Sequence, residues 1–259
     1  MQTQDVPAPE QEEARRARAA AAGGVGKRAY VRDVFERIAP TYDLLNHLLS
    51  FNVDRRWRRR AIAELRWERD PRGTYLDVCA GTLDVAAQLA RSDGFAGRVV
   101  ATDFAEPMLR AGRAKVPSGT TALVVGDALR LPLRDASVSG AIVAFGIRNV
   151  VDLDVALREM RRVLRPGGRF VVLEFSTPRS WLVRAAYHAY FHHVLPFVGG
   201  IVSGHRSAYR YLPRSVASFP VEEELAARMR RAGFADVGWR SLTSGIAAVH
   251  VGTRPVGDG

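Results

Sequence analysis

The chain has 259 residues, which is long for one average domain but within the range of single α/β domains, and its composition of 47% hydrophobic and 25% charged residues is that of a globular protein. The formal net charge of +11 makes anionic lipid and nucleic acid candidate partners. The alternative is a solvated basic surface that binds no partner. A single cysteine, Cys79, excludes an intrachain disulfide and favours a reducing compartment. The sequence contains no run of about 18 apolar residues, so no membrane-spanning helix is predicted.

The first predicted elements are N-terminal helices. Val31, Val34 and Ile38 recur at helical spacing, and Pro40 interrupts the pattern before a second helical stretch. Residues 1–26 are polar and include clustered acids, so we expect a disordered segment that is neither a signal nor a transit peptide. The tail at 255–259 is expected to be flexible.

Strands and helices alternate from residue 75 onward. Strands are predicted at 75–79, 98–102, 122–125, 140–145 and 170–175, with helices at 84–91, 106–115 and 152–164. Asp152 is the expected N-cap of the last of these helices, and Arg165-Pro166-Gly167-Gly168 is the expected stop signal. A helix at 222–232 and strands at 237–242 and 247–251 follow. Repeated strand–helix units predict an α/β fold, a Rossmann-like and mainly parallel sheet, in one domain over residues 27–254.

Residues 177–218 do not fit the alternation. They are rich in aromatic residues, and we interpret them as a helical insertion that covers a substrate site. His188 and His192 are spaced to share a helix face, but no third ligand follows, so no metal site is predicted. Cys79 is expected to be a packed strand residue, because nothing nearby would activate its thiol.

Acidic residues lie at the ends of three successive predicted strands. They are Asp77, Asp103 and Asp127. An acid after the second strand can accept both ribose hydroxyls of an adenosine, and one after the third can accept the adenine amino group. Each acid alone is more often a cap or a turn residue, but three in this arrangement favour a site for S-adenosylmethionine (SAM). Gly81 is the one glycine in the first turn, whereas a dinucleotide fingerprint would need three.

Several stretches resemble the menaquinone/ubiquinone biosynthesis C-methyltransferase family, and the likeness covers roughly Val31 to Gly252. The matching stretches are Tyr42-Asp43-Leu44-Leu45-Asn46, Phe145-Gly146-Ile147-Arg148-Asn149, Arg162 to Gly168 with Glu174-Phe175-Ser176, Tyr209-Arg210-Tyr211-Leu212, and Leu242-Thr243 to His250. The resemblance implies a class I SAM-dependent methyltransferase fold with N-terminal helices, SAM as methyl donor and a prenylated quinol as acceptor. It places the cofactor at positions that include Thr82, Asp103, Asp127, Ala128 and Ala144.

The resemblance also implies where the acceptor binds. Arg148 and Asn149 match positions near the quinol, where Arg148 would stabilise a phenolate and Asn149 would orient the ring. Tyr42 would line the pocket. Three plainer interpretations stay open: Arg148 faces solvent or pairs with Asp152, Asn149 caps a turn, and Tyr42 is ordinary core packing. No general base is identifiable.

Four residues depart from the pattern of the family. Leu83 replaces a usual glycine, Ala144 a serine found in many members, Leu45 a methionine and Asp54 a histidine. The leucine matters most, since its side chain either crowds the methionine part of SAM or points into the core.

Three other functions compete with quinol methylation. The first is methylation of another phenol or of a polyketide. The second is nucleic-acid binding through the positive charge, although no basic run is interleaved with stacking aromatics. The third is a binding protein without activity, in which Leu83 marks a decayed catalytic site. We expect no nucleic-acid partner, and a cytoplasmic protein that docks reversibly on the inner membrane face through Trp181–Val202. Naphthoquinol versus benzoquinol, prenyl length and oligomeric state stay open.

Overall fold

The computed structural model describes residues 19, 26–39, 50, 52–190 and 206–257. The strands are β1 Thr74–Val78, β2 Arg98–Asp103, β3 Thr121–Val125, β4 Val138–Ala144, β5 Leu164–Phe175, β6 Ala235–Leu242 and β7 Ala247–Thr253. The helices are α1 Lys27–Ile38, α2 Val53–Glu64, α3 Asp84–Ala90, α4 Glu106–Gly112, α5 Leu153–Val163, α6 Trp181–Ala189, α7 Arg206–Ala217 and α8 Glu222–Arg231. Short 3₁₀ turns include Ile147–Asn149 and Thr243–Gly245.

One sheet organises the described chain. Its strand order is β3-β2-β1-β4-β5-β7-β6; β1 to β5 pair in parallel, whereas β7 pairs antiparallel with both β5 and β6. The order reverses between β1 and β4, and ligands of such sheets bind at the carboxyl ends of the strands near this switch point. The predicted Rossmann-like, mainly parallel sheet is confirmed.

Hydrophobic side chains fill both faces of the sheet, because successive strand residues point to opposite sides. Tyr75 of β1 packs in the cluster that contains Trp57 of α2 and Leu89 of α3, and the next residue, Leu76, packs in the cluster that contains Leu157 of α5. Leu225 of α8 belongs to this second cluster. Helices α2 and α3 therefore cover one face, and α5 and α8 cover the other.

Two predicted boundaries need correction. β1 ends at Val78, so Cys79 lies in the following loop with a left-handed φ of 52° and is not a strand residue. β5 begins at Leu164, so Arg165 to Gly168, predicted as a stop between two elements, belong to the strand itself. Helix α5 still ends before them, and Asp152 is its N-cap as predicted, with its side chain accepting from the Val155 amide.

The segment predicted as a helical insertion contains α6 and α7, while residues 191–205 between them lie outside the described residues. Helix α7 approaches the turn Ile147–Asn149, and α1 packs against both α4 and α7. Within the described ranges, no helix is both long and apolar enough to cross a membrane.

Candidate functional site

A cleft opens at the carboxyl ends of β1, β2, β3 and β4. The space within it, which is partly open to solvent, amounts to about 740 Å³. Five of the seven residues predicted for the cofactor line it, namely Gly81, Asp103, Asp127, Ala128 and Ala144, and so does Asn149. Cys79, Phe104, Met108 and Phe145 add apolar surface, and Arg28 and Phe35 of α1 contribute a further wall.

The loop after β1 owes its sharp path to three left-handed residues. Cys79, Gly81 and Leu83 have φ values of 52°, 52° and 69°. The path brings the Gly81 amide to Oδ2 of Asp103, which accepts its hydrogen bond at 2.9 Å. Helix α4 packs tightly behind the loop, because a Cβ on Gly112 would lie 2.2 Å from the Thr82 carbonyl oxygen. The backbone of this loop is thereby presented to the cleft.

Leu83 explains why a glycine is usual at its position. Its backbone is left-handed, a conformation that costs an ordinary L-residue about 1–2 kcal/mol. Its side chain is fully buried in the core cluster beside Val85 and Leu89 and does not line the cleft. Of the two alternatives left by the sequence, the side chain that points into the core is the one observed.

Replacing Leu83 by glycine should therefore weaken the fold and leave the cofactor site intact. The substitution relieves backbone strain of about 1–2 kcal/mol but removes a buried leucine, a loss of about 2–5 kcal/mol, so we expect net destabilisation of up to about 4 kcal/mol. Denaturant unfolding measures the loss, and calorimetry should give a SAM affinity within about twofold of the parent protein. Markedly tighter SAM binding by Leu83→Gly would show instead that the leucine crowds the cofactor.

Asp77 and Thr82 do not line the cleft. Both are buried, and Oδ2 of Asp77 accepts a hydrogen bond from the Ala86 amide at 3.0 Å, which ties β1 to the first turn of α3. Burial raises the pKa of Asp77 to about 8, against the smaller opposing effects of the Ala86 amide and the Arg58 charge. The hydrogen bond of Asp77 fixes the loop that carries Gly81. The sequence analysis predicted that Asp77 contacts the cofactor.

Asp103 and Asp127 stand on neighbouring strand ends within the cleft. Besides the Gly81 amide, the Asp103 carboxylate accepts the Ala105 amide at 2.9 Å, and burial raises its pKa against these hydrogen bonds. Oδ1 of Asp127 accepts the Leu129 amide at 3.0 Å, and its Oδ2 lies 3.0 Å from a guanidinium nitrogen of Arg28. Two carboxylates with fixed orientations thus face the same space.

Arg148 is buried on the turn Ile147–Asn149. Its Nη1 lies 2.7 Å from Oε1 of Glu174 at the end of β5, with side chains that are 7% and 2% exposed. Nη1 also donates to the Phe145 carbonyl oxygen, and Nε donates to Oγ of Ser215 on α7 at 3.3 Å. Arg148 therefore neither faces solvent nor pairs with Asp152. Burial raises the pKa of Glu174, and the adjacent Arg148 charge opposes that rise.

Asn149 lines the cleft beside this buried pair. Its Oδ1 accepts a hydrogen bond of 3.1 Å from the hydroxyl of Tyr211 on α7, and both side chains are buried. Burial raises the pKa of Tyr211 to about 12, so the phenol is a donor at neutral pH. Helix α7 supplies partners to Arg148 and Asn149, two of the three residues predicted for the acceptor.

Lys27 at the start of α1 holds the same turn from another side. Its Nζ donates to the carbonyl oxygens of Arg148 at 3.1 Å and Val150 at 2.8 Å. Partial burial and the neighbouring Arg148 charge lower the pKa of Lys27. Of the 38 Lys and Arg residues of the sequence, all but Lys27 and Lys115 are arginines. The two hydrogen bonds of the Lys27 ammonium tie the start of α1 to the turn that carries Arg148.

The sequence prediction missed Lys27, Glu174, Tyr211 and Ser215 as parts of this site. Glu174 and Tyr211 stand within the stretches that resemble the family, so that signal was available, whereas nothing in the sequence links Lys27 to a turn 121 residues away. Tyr42 lies outside the described residues, as do Leu45 and His192. Among the side chains described, no three of His, Cys, Asp or Glu group as metal ligands.

Asp54, which replaces a usual histidine, forms a buried ion pair with Arg58 one turn later on α2. The hydroxyl of Ser50 also donates to Asp54, and Arg58 lies 3.5 Å from Asp84. Arg58 thus connects Asp54 of α2 with α3, and Asp54 does not line the cleft.

Comparison with known proteins agrees with the geometry. A sequence profile described as the ubiE/COQ5 methyltransferase family matches residues 24–254. The chain belongs to this family. It is 48% identical over 225 residues to a demethylmenaquinone methyltransferase of Thermus thermophilus, covering 86% of this chain and all of that one. It is 47% identical over 228 residues to a ubiquinone/menaquinone biosynthesis C-methyltransferase UbiE of Geobacter sulfurreducens, covering 86% and 88%.

Solved structures support the fold assignment. A SAM-dependent methyltransferase of Thermotoga maritima superposes with a TM-score of 0.57 at 21% identity, over 86% of this chain and 99% of that one. The ubiE/COQ5 chain described here thus has the class I fold and is an enzyme that takes its methyl group from SAM. The cleft fits that group in its two carboxylates, which lie at the ends of the second and third strands.

Proposed function

We propose that the enzyme methylates a ring carbon of a prenylated quinol, converting demethylmenaquinol to menaquinol or carrying out the equivalent benzoquinol step of respiratory quinone biosynthesis. The observation that carries this proposal is the turn Ile147–Asn149, which sets Asn149 in the wall of the cofactor cleft and Arg148 behind it, against Glu174 and the helix α7. The curated relatives named above support the choice of a quinol.

Carbon methylation requires an electron-rich ring. Bound SAM supplies the methyl group as a sulfonium. Arg148 favours the phenolate form of the acceptor, because a positive charge close to a phenol lowers its pKa and makes the neighbouring ring carbon more nucleophilic. Its Nη1 and Nε already have acceptors in Phe145, Glu174 and Ser215, so Nη2 is the nitrogen we assign to the acceptor oxygen.

The remaining residues of the site orient and enclose the two reactants. Asn149, held by the Tyr211 hydroxyl, aligns the ring, and Asp103 and Asp127 take the ribose hydroxyls and the adenine amino group. Helices α6 and α7 exclude water from the acceptor side. Alignment of two reactants can supply about 7–11 kcal/mol of a barrier. Thr82 and Asp77 support the loop beneath the cofactor, and we place Tyr42 at the acceptor on the family resemblance alone.

We also propose that the enzyme is cytoplasmic and meets its acceptor at the inner membrane face. A prenylated quinol partitions into the bilayer, and the described chain has no helix suited to span it. Trp181 and Leu182 at the start of α6 are 68% and 61% exposed, and such side chains favour an interfacial position.

Methyl transfer to defined quinols tests the proposed function. Purified protein with methyl-labelled SAM should methylate demethylmenaquinol or a demethylated benzoquinol at carbon, as identified by mass spectrometry, and comparison of the two identifies the ring. A deletion strain should accumulate the corresponding demethylated quinone. Labelling of a non-prenylated phenol or of RNA with no product from either quinol would contradict the proposal.

A further inference from the structure

A row of arginines covers the outer face of α2. Arg55, Arg56, Arg59 and Arg60 are exposed and fall on two adjacent helical rows, three to four residues apart. The acids of this helix do not neutralise them: Asp54 faces inward to Arg58, and Glu64 lies against Arg169. Arginines on other helices do have such partners, as in Arg37–Asp33 of α1 and Arg110–Glu106 of α4.

A groove adjoins this row between α2 and the antiparallel end of the sheet. Three arginines, Arg60, Arg169 and Arg240, and two acids, Glu64 and Asp236, line it, so the charge of its lining is net positive; its apolar lining is Ala63, Leu242, Val249 and Val251. Trp239 of β6 also lines it and is 37% exposed. A groove with a net positive charge, an apolar floor and an aromatic side chain can bind both anionic and apolar groups.

Arg169 is the most buried charged side chain of the groove. Its side chain is 16% exposed, its nearest carboxylate is 3.4 Å away on Glu64, and its buried Nε has no acceptor among the described residues. Burial and the charges of Arg66 and Arg69 lower the pKa of Arg169, and the carboxylates of Glu64 and Asp236 oppose this shift. Crowded cations with an unused donor favour an anionic ligand that brings its own acceptors.

We propose that this basic face, Arg55, Arg56, Arg59, Arg60, Arg169 and Arg240 with Trp239, is a docking surface for the phosphate headgroups of anionic phospholipid. The choice of a bilayer over an acidic protein rests on the proposed function, because a prenylated quinol is delivered from a membrane. Guanidinium groups bind phosphate in pairs of hydrogen bonds, and tryptophan favours the interface between headgroups and acyl chains.

Vesicle binding by the full chain tests the surface. The parent protein should sediment with phosphatidylcholine vesicles that contain phosphatidylglycerol, much less with pure phosphatidylcholine, and less as salt rises. At about fivefold for each arginine near the surface, Arg59→Glu with Arg60→Glu should weaken binding by about 25-fold or more. The matched control is the double variant Arg134→Glu with Arg158→Glu, which changes the net charge by the same amount. Both residues are exposed. Arg158 belongs to α5, which covers the opposite face of the sheet. The control should stay within about twofold.

Other outcomes overturn the proposal. Equal losses in the two double variants would mean that net charge alone drives binding. Displacement from vesicles by millimolar inorganic phosphate would indicate a site for free phosphate, and binding to RNA or to an acidic peptide with none to vesicles would indicate another partner. Methyl transfer to detergent-dispersed quinol should be unchanged in both double variants, which checks their folding. If the parent protein binds vesicles through this face but methylates no quinol, the proposed function fails and the docking surface stands.

Discussion

Arg148→Gln and Glu174→Gln should each lower the rate of methyl transfer by about 100-fold, because removing one preorganised donor to a developing oxyanion costs about 10²–10³ in kcat. We propose that Glu174, whose Oε1 lies 2.7 Å from Nη1 of Arg148, affects the rate only by positioning Arg148. The double variant should therefore be no slower than Arg148→Gln alone. Single-turnover rates with saturating SAM and quinol measure this non-additivity.

Stability and cofactor binding separate this effect from simple unfolding. Loss of one partner from a buried pair costs about 3–5 kcal/mol, so both single variants should unfold earlier, whereas the double variant should recover part of the loss. SAM affinity should change little in all three, and Arg134→Gln, at an exposed arginine, is the control for removal of a charge. Independent, multiplying effects of the two substitutions on the rate would refute a positioning role for Glu174.

Asp103→Asn should weaken SAM binding by about 100-fold. Two hydrogen bonds from ribose hydroxyls to a carboxylate are each stronger by about 1–1.5 kcal/mol than bonds to a neutral acceptor, and the amide nitrogen of asparagine cannot accept at all. The same carboxylate also accepts the Gly81 and Ala105 amides, so the loop in contact with the cofactor loses its support at the same time. Calorimetric titration with SAM measures the affinity.

A matched surface variant gives the baseline for this titration. Asp135→Asn removes a carboxylate whose side chain is 76% exposed and paired with Arg162, outside the cleft. It should bind SAM like the parent protein. If Asp103→Asn also binds SAM with unchanged affinity while remaining folded, Asp103 does not hold the ribose.

The sequence predicted the fold because alternating strands and helices leave few arrangements for a parallel sheet. Asp103 and Asp127 could be placed near one another for the same reason, since parallel strands end at one edge. The position of Asp77 in the chain does not reveal that its carboxylate turns beneath the loop toward the Ala86 amide, so its assignment to the cofactor stays a prediction.

Partners that depend on tertiary contact could not be predicted. The Arg148–Glu174 pair spans 26 residues and the Tyr211–Asn149 bond spans 62, and no local pattern specifies either contact. The side-chain direction of Leu83 depends on a left-handed backbone that its residue type disfavours. Sequence patterns thus locate the edge of the sheet where the chemistry occurs, and packing decides which side chains reach it.

The two hydrogen bonds of the Lys27 ammonium have a consequence for turnover. The helix that begins with Lys27 forms a wall of the cofactor cleft through Arg28 and Phe35, and its ammonium is bonded to the backbone of the turn that carries Arg148. If α1 swings away to exchange spent cofactor for fresh SAM, these two bonds break and the turn loses its restraint. Loading the methyl donor and assembling the quinol pocket would then be one event, so that an enzyme awaiting SAM would hold its acceptor loosely.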